Sequence, residues 1–192
     1  MSDLKLYMVI IGCKPAGRFT EQHDVFFGIG NSLSELVPQM NAFWKEASGR
    51  IHIDAWREIT TVDDYAVRIT EKQDIDDAAE KTKLFFLNLG GYKENEFEEY
   101  HYKIVTAAKD KGQAILRSKQ TAFYKHCGFK GAESHIDDKY GIDVDDLYEI
   151  EDILPGEIKE RYTISLSYVK DAIPDELHIG YVKIDKLLQS DL

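Results

Sequence analysis

The stretch KLYMVIIGC, from Lys5 to Cys13, returns later in the chain as KLFFLNLGG, from Lys83 to Gly91. Each copy is a short continuous apolar run closed by glycine, which is typical of a buried strand. An internal repeat sets the whole architecture of a chain. At this offset of 78 residues Gly12 meets Gly90 within the run, and three further identities follow in order, namely Phe19 with Phe97, Glu21 with Glu99, and His23 with His101. The pattern predicts a duplicated unit.

Small gaps bring more of the two copies into line. AFWK (42–45) matches AFYK (122–125), and the tripeptide His52-Ile53-Asp54 meets His135-Ile136-Asp137. The duplication accounts for the recurrence of the tripeptide, so the recurrence by itself is no evidence for a site.

Both copies carry a helix start at the same repeat position. In Ser32-Leu33-Ser34-Glu35 and Asp110-Lys111-Gly112-Gln113, a short side chain can accept from the backbone three residues on, while Glu or Gln reaches back. The pattern predicts helices over 33–47 and 111–126. Because proline is tolerated only in the first turn, the first helix kinks at Pro38 or its regular part begins near it.

Strands are predicted around these helices from runs of apolar and alternating residues. They are 24–30 and 102–108 before the helices, 50–59 and 132–138 after them, then 64–69 and 147–153, and finally 161–169 and 177–184.

The predicted fold class is α+β, with two tandem β-β-α-β-β repeats in mainly antiparallel sheets and a C-terminal β-hairpin-like extension. The expected organisation is repeat unit 1 over 1–70, a linker over 71–82, and repeat unit 2 over 83–154. Residues 155–192 are expected to pack on unit 2 or at a dimer interface.

Composition limits the classes of function. The 192 residues include 24 Lys and Arg against 35 Asp and Glu, a formal charge of −11. Nucleic-acid binders normally present a basic face, so nucleic acid is not an expected partner, and an acidic chain is not drawn to anionic membranes. No apolar run has the length of a transmembrane helix. Cys13 and Cys127 lack metal-type spacing and are interpreted as reduced thiols of a cytoplasmic protein.

Three motifs carry a family resemblance. GCKPAGRFTEQHDVFFGIG (12–30), AFYKHCGFKG (122–131) and SHIDDKYGIDVDDLYEIEDI (134–153) resemble a bacterial family catalogued only as a domain of unknown function, number 1543. The resemblance covers residues 4–154. It implies a fold unit that occurs in one or two copies per chain. It implies no activity, cofactor or catalytic residue.

Two His-x-Asp pairs are candidate metal ligands. Residues i and i+2 of a strand face the same way, so His52 shares a face with Asp54, and His135 with Asp137. If the units pack about a pseudo-twofold axis, the pairs would meet as four ligands for a divalent transition metal such as zinc, manganese or iron. The alternative is that these polar residues are exposed beside a core-facing Ile53.

The pairs Glu21/His23 and Glu99/His101 are candidate catalytic acid–base pairs. Each lies in the loop or strand start that follows a glycine-closed strand, and such loops often carry function on a rigid scaffold. The alternative is a surface Glu–His contact, which contributes little to stability.

A third candidate is an anion site at the start of the first helix. Helix N-termini bind anions through free N–H groups. Two cations nearby in the sequence add to the pattern, but GIG lacks the third glycine of a dinucleotide fingerprint. The alternative is a turn before a capping box. The candidate residues are Lys14, Arg18, Gly30, Asn31 and Ser32.

The absence of a specific catalytic motif favours a binding module. We expect a soluble duplicated α+β protein that binds a protein or small-molecule ligand, or self-associates as a homodimer. The alternative is a small metal-assisted, hydrolase-like enzyme that uses the repeat-related His and Asp residues. The only cofactor that the residues suggest is the divalent transition metal.

Overall fold

The structure, a computed structural model, describes residues 4–72, 81–93, 95–120 and 143–189, except for the side chains of Asp143 and Asp145. The fold is α+β with antiparallel sheets, as predicted. The chain divides into unit 1, Met1–Asp74 with Leu154–Leu192, and unit 2, Ile75–Ile153. Among the helices of the described ranges, none combines the length and apolar character that a bilayer-crossing helix needs.

Unit 1 begins with five strands and a short helical connection. Two 3₁₀ turns, Ser34–Leu36 and Lys45–Ala47, flank the single regular helix of that connection. The regular elements are β1 (Lys5–Cys13), β2 (Gln22–Gly30), α1 (Val37–Phe43), β3 (His52–Ile59), β4 (Thr61–Val62) and β5 (Tyr65–Glu71).

The described part of unit 2 contains a three-stranded sheet and two helices. Its elements are β6 (Lys83–Tyr92), β7 (Glu99–Ala108), α2 (Lys111–Ser118), β8 (Asp143–Glu149) and α3 (Ile150–Ile153). The C-terminal segment then returns to unit 1 as α4 (Gly156–Arg161), β9 (Tyr162–Tyr168), β10 (His178–Lys183) and α5 (Ile184–Gln189).

The core of unit 1 explains why β1 is apolar throughout. One face of β1 packs in a buried cluster with the helical connection, and this cluster includes Val9, Ile11 and Met40. The opposite face is buried as well, with Leu6 1% and Met8 8% exposed. A strand buried on both faces has no position for alternating polar residues.

The first predicted helix is shorter than 33–47. Pro38 lies in the first turn of α1, where its missing N–H costs nothing, so the expectation that the regular part begins near Pro38 is confirmed. The second helix ends at Ser118 rather than 126.

The two helical connections use one hydrogen-bond pattern. The N–H of Glu35 lies 3.4 Å from Ser32 Oγ, and the carboxylate of Glu35 accepts from the N–H of Asn31 at 2.9 Å. In unit 2 the N–H of Gln113 donates to Asp110 Oδ1 at 2.9 Å, and Gln113 Oε1 accepts from Lys109 at 3.4 Å. The capping interactions predicted at both positions are therefore present, with the Glu and Gln reaching one residue further back than a standard capping box.

The strand predicted over 147–153 is wrong. β8 ends at Glu149 and α3 follows it. The apolar residues Leu147, Ile150 and Ile153 recur every three positions, which is closer to a helical than to a strand period. The strand predicted over 132–138 lies outside the described residues.

The sheets of the two units agree in order and register. The order β2-β1-β3 in unit 1 corresponds to β7-β6-β8 in unit 2. The β1–β3 register shifts between Ile10 and Ile11, and the β6–β8 register shifts between Asn88 and Leu89, again 78 residues apart.

An ion pair recurs with the register. Lys5 Nζ lies 3.0 Å from Glu58 Oε1, and Lys83 Nζ lies 3.0 Å from Glu149 Oε2. The hydrogen bond to Glu149 raises the pKa of the Lys83 ammonium group. Both pairs are partly exposed, so each contributes at most about 1 kcal/mol.

Residues 155–192 were expected to pack on unit 2 or at a dimer interface. The described strands of this segment pair with strands of unit 1 and not of unit 2, and the dimer interface stays a prediction. β9 pairs along its length with β5, and β10 pairs with β3, so both strands extend sheets of unit 1. The two strands belong to different sheets and do not form the expected hairpin. Strand pairing with exposed edges of unit 1 fixes this placement, and nothing in the local sequence encodes it.

The cap of α2 gives a test of these local interactions. Asp110→Ala should lower the free energy of unfolding by about 0.5–2 kcal/mol, because the N–H of Gln113 loses its acceptor. Asp110→Asn keeps an acceptor and is the control. Urea unfolding followed by circular dichroism measures both, and an equal loss in the two variants would contradict the cap.

Candidate metal centre

Two histidines flank a glycine across three strands of unit 1. In the register of the sheet, Gly12 of β1 pairs with His23 of β2 on one side and with His52 of β3 on the other. Directly paired residues project from the same face of a sheet. Both imidazoles therefore stand over the position at which β1 has no side chain.

The glycine is required by the space that the neighbours fill. A Cβ atom at position 12 would overlap His52 Nε2 and would lie 2.6 Å from Asp54 Oδ2. Real Cβ atoms do not approach other atoms so closely, so the ends of the His52 and Asp54 side chains would have to shift. Any larger residue would push the His52 and Asp54 side chains out of this space.

A β-bulge sets the direction of Asp54. Ile10 pairs with Ala55 and Ile11 pairs with Ile53, so Asp54 is the extra residue of β3 and has no partner on β1. Bulges change the direction of a side chain and are common beside functional sites. Here the bulge turns the Asp54 carboxylate over Gly12, next to the imidazole of His52.

Four side chains converge above Gly12. His52 Nε2 lies 3.1 Å from Glu21 Oε1 and 3.4 Å from Asp54 Oδ2. His23 Nε2 lies 3.2 Å from Asp54 Oδ2 and 3.9 Å from Glu21 Oε2. One ligand atom from each of Glu21, His23 and His52 falls within 4.8 Å of the others. Imidazole nitrogens and carboxylate oxygens therefore alternate around one point.

These separations match a tetrahedral coordination shell. Ligand atoms about 2.0–2.2 Å from a zinc ion lie roughly 3.3–3.5 Å from one another by tetrahedral geometry. Three of the nitrogen–oxygen distances, 3.1, 3.2 and 3.4 Å, lie close to that value, and the fourth, 3.9 Å, runs from His23 to the other carboxylate oxygen of Glu21.

Two of these atoms are buried without a hydrogen-bond partner in the described structure. His52 Nε2 and Asp54 Oδ2 are closed to solvent, and neither makes a hydrogen bond of acceptable geometry. The His52 side chain is only 9% exposed. A buried polar atom without a partner costs about 1–3 kcal/mol, and a bound ion is one of the accepted explanations for such an atom.

Burial differs across the cluster. The side chains of His23 and Glu21 are 44% and 46% exposed, in contrast to His52. One wall of the cluster is therefore built into the sheet, and the other wall opens to solvent.

The C-terminal strand β10 supplies aromatic neighbours to the cluster and to β3. The ring of Tyr181, from β10, lies 4.6 Å from the ring of His52. Further along β3, Trp56 stacks on His178 with ring centroids 3.8 Å apart. Beyond this stack lies a groove of about 810 Å³, whose wall includes Asp175, which accepts from the Thr60 hydroxyl at 2.6 Å.

Unit 2 repeats part of the arrangement. Gly90 of β6 pairs with His101 of β7 and with Asp143 of β8. His101 Nε2 lies 3.9 Å from Glu99 Oε2, the separation found between His23 and Glu21.

The structure combines two sets of candidates that the sequence left separate. Glu21 and His23 were expected as an acid–base pair, and His52 and Asp54 as half of a metal site; they meet within unit 1. His135 and Asp137 lie outside the described residues. The residue opposite Gly90 is Asp143, so the sheet register does not follow the gapped alignment of the two His-Ile-Asp tripeptides.

The structure does not bring the residues of the predicted anion site together. Lys5 pairs with Gly30 and Cys13 pairs with Gln22, so Lys14 and the Gly30 end of β2 lie at opposite ends of a nine-residue strand. That distance is roughly 27 Å at strand rise. The N–H and side-chain amide of Asn31 already donate to the carboxylate of Glu35, which occupies the space of an anion. Arg18 and Ser32 belong to these two separate ends.

Sequence reasoning missed the role of Gly12. The sequence did mark this glycine, because Gly12 and Gly90 match in the repeat and each lies at the end of an apolar strand. What the sequence lacked was the strand order, which brings β2 and β3 to the two sides of β1.

Comparison with known proteins supports the fold and gives no function. Residues 18–69, which include Glu21, His23, His52 and Asp54, match the model of a family described as Domain of Unknown Function (DUF1543). No curated protein matches the chain. A solved structure, described as the crystal structure of a protein Il1583 from Idiomarina loihiensis, is similar with a TM-score of 0.63 and 21% identity, over 94% of this chain and 97% of that one. At this identity the likeness shows the fold alone.

Proposed function

We propose that the protein binds a divalent transition metal through Glu21, His23, His52 and Asp54. The observation that supports this most strongly is the buried, unpartnered Nε2 of His52, 3.1 Å and 3.4 Å from two carboxylate oxygens. A cation at the centre of the four atoms would satisfy the nitrogen and neutralise the two carboxylates.

The donor set favours zinc among the divalent ions. Two imidazoles suit zinc, copper, iron and nickel, while two carboxylates add hard oxygen donors. Four ligands in a roughly tetrahedral arrangement are the usual geometry of zinc. Because imidazoles must be unprotonated to bind, affinity should fall in acid.

Removal of the buried ligand tests the proposal. Purified protein incubated with zinc and then desalted should retain zinc, and His52→Ala should retain one equivalent less, because the buried wall of the centre is lost. His178→Ala is the control, since His178 stacks on Trp56 outside the cluster. Elemental analysis measures the metal; equal zinc in His52→Ala and in the wild type would refute the centre.

A second variant tests the space above the central strand. Gly12→Ala should weaken zinc binding at least tenfold, because its Cβ displaces both His52 and Asp54. Gly49→Ala is the control for glycine loss, since a Cβ there contacts nothing within 4 Å. Because the φ of Gly49 is +71°, Gly49→Ala should lower the stability of the protein through backbone strain. The two variants therefore separate the effect of backbone strain from the effect of losing the metal centre. Competition with a chromophoric chelator measures affinity, and urea unfolding reports stability. Zinc affinity of Gly12→Ala equal to that of wild type would contradict the arrangement.

A metal-assisted, hydrolase-like activity is the second candidate function. The exposed side chains of Glu21 and His23 support it, because structural zinc sites are closed, whereas catalytic ones keep a position open to water or substrate. Azide added to the cobalt-loaded protein should change the visible spectrum if a coordination position is open. An unchanged spectrum at saturating azide would identify a closed, structural centre.

We also propose that the two units descend from one duplicated segment. The shared strand order, the register shifts and caps 78 residues apart, and the corresponding Lys–Glu ion pairs support this.

A further inference from the structure

We propose that a groove of unit 1 binds a small organic cation, an amine or guanidine carried on an apolar body. The groove has a volume of about 810 Å³, and its wall is formed by residues of β3, of the short strand β4 and of the segment from Val169 to His178. Ligand pockets of proteins usually measure about 300–1,000 Å³, so a ligand of this class fits the space.

The groove is separate from the metal centre. Trp56 of the groove wall pairs with Val9, whose side chain belongs to the buried core of unit 1, whereas His52 pairs with Gly12. Val9 and Gly12 lie three residues apart on β1, so they project from opposite faces of the sheet. The inference therefore does not depend on the metal centre.

Carboxylates dominate the charge of the groove wall. Glu58, Asp171, Asp175 and Glu176 line it, and none of its described lining residues is a lysine or an arginine. Lys5 lies 3.0 Å from the carboxylate of Glu58, so the negative field comes chiefly from the other three acids. A cleft lined by charges of one sign concentrates ions of the opposite sign, so the complementary ligand is a cation.

The carboxylate of Asp175 is held in a fixed orientation. Its Oδ1 atom accepts hydrogen bonds from the N–H and the hydroxyl of Thr60, at 3.0 and 2.6 Å, and from the N–H of Thr61 at 3.2 Å. Its Oδ2 atom is closed to solvent and has no hydrogen-bond partner within the described residues. An ammonium or guanidinium group would supply the missing donor. Its entry requires a small movement of the surrounding loop, in which Ile173 is 82% exposed.

Apolar groups of the wall suit the body of the ligand. The ring of Trp56 stacks on His178 with ring centroids 3.8 Å apart, and both residues line the groove together with the exposed side chains of Val169 and Ile173. Exposed apolar surface of this kind is often a binding site, and tryptophan is the ring that attracts cations most strongly. Apolar and aromatic groups beside a fixed carboxylate favour an organic cation over an inorganic one.

The test compares three ligands that share one apolar body. Phenethylamine, 2-phenylethanol and phenylacetate are cationic, neutral and anionic at neutral pH. The chain has two tryptophans, so Trp44→Phe leaves Trp56 to report on the groove by fluorescence. At low salt and with a chelator present, phenethylamine should bind roughly tenfold or more tightly than 2-phenylethanol, as loss of a charged hydrogen bond implies. Phenylacetate should not bind. Equal affinities for the three ligands would overturn the proposal.

A variant of the fixed carboxylate tests its role. In Asp175→Asn the remaining oxygen still accepts from Thr60 and Thr61, so the loop contacts are kept while the charge is lost. Its affinity for phenethylamine should fall by roughly tenfold or more. Asp185→Asn, which removes one charge from α5 outside the groove, is the matched control and should bind as the parent protein does. An unchanged affinity in Asp175→Asn would refute the site.

Ligand-observed nuclear magnetic resonance on the wild-type chain gives the same comparison without Trp44→Phe and should rank the three ligands in the same order. Binding of a tetralysine peptide without binding of phenethylamine would assign the groove to a basic peptide and overturn the proposal. His52→Ala, with a urea midpoint near that of the wild type, should bind phenethylamine normally. Loss of binding there would contradict a separate groove, whereas a failed zinc centre leaves this result unchanged.

Discussion

The space above one glycine in a central strand governs the arrangement of unit 1. Strands on both sides of β1 lie about 4.8 Å from it, so side chains that flank β1 can meet only where β1 presents none. At Gly12 they do meet, and the atoms of His52 and Asp54 fill the volume of the missing Cβ. Strand order, register and bulge all act through this one position.

The same constraint accounts for the mixture of apolar and polar residues in the sheet. β1 is buried on both faces, so its other positions are large and apolar. The polar cluster is confined to the end of β1, where β2 begins and its first residues are exposed. The cluster is therefore buried on the side formed by β3 and open to solvent on the side formed by the start of β2. This difference follows from the place at which the strands end. The core itself stays free of charged side chains on this strand.

Local patterns predicted much of the fold. The apolar runs located β1 and β6, and the capping residues located both helical connections. The residue types of the site were also predicted, since Glu21, His23, His52 and Asp54 were all candidates. The convergence of these four side chains was not predicted, because it depends on the pairing of strands that lie some thirty residues apart in the sequence. The alignment of the two repeats contains gaps before β8, and it matched His135 to His52. Spacing alone could not show that Asp143, and not His135, is the partner of Gly90.

The pairing of β9 with β5 has a consequence for the order in which the protein folds. Tyr65 pairs with Tyr168, so the whole of unit 2 is an insertion within the chain of unit 1. On the ribosome, the N-terminal strands must wait for β9 and β10, whereas unit 2 is contiguous and emerges complete beforehand. Such non-local pairing slows folding, because the loop must close before its contacts form. Unit 1, whose first strands are synthesised before unit 2, is thus completed after it, and Tyr181 can reach His52 only after β10 has left the ribosome.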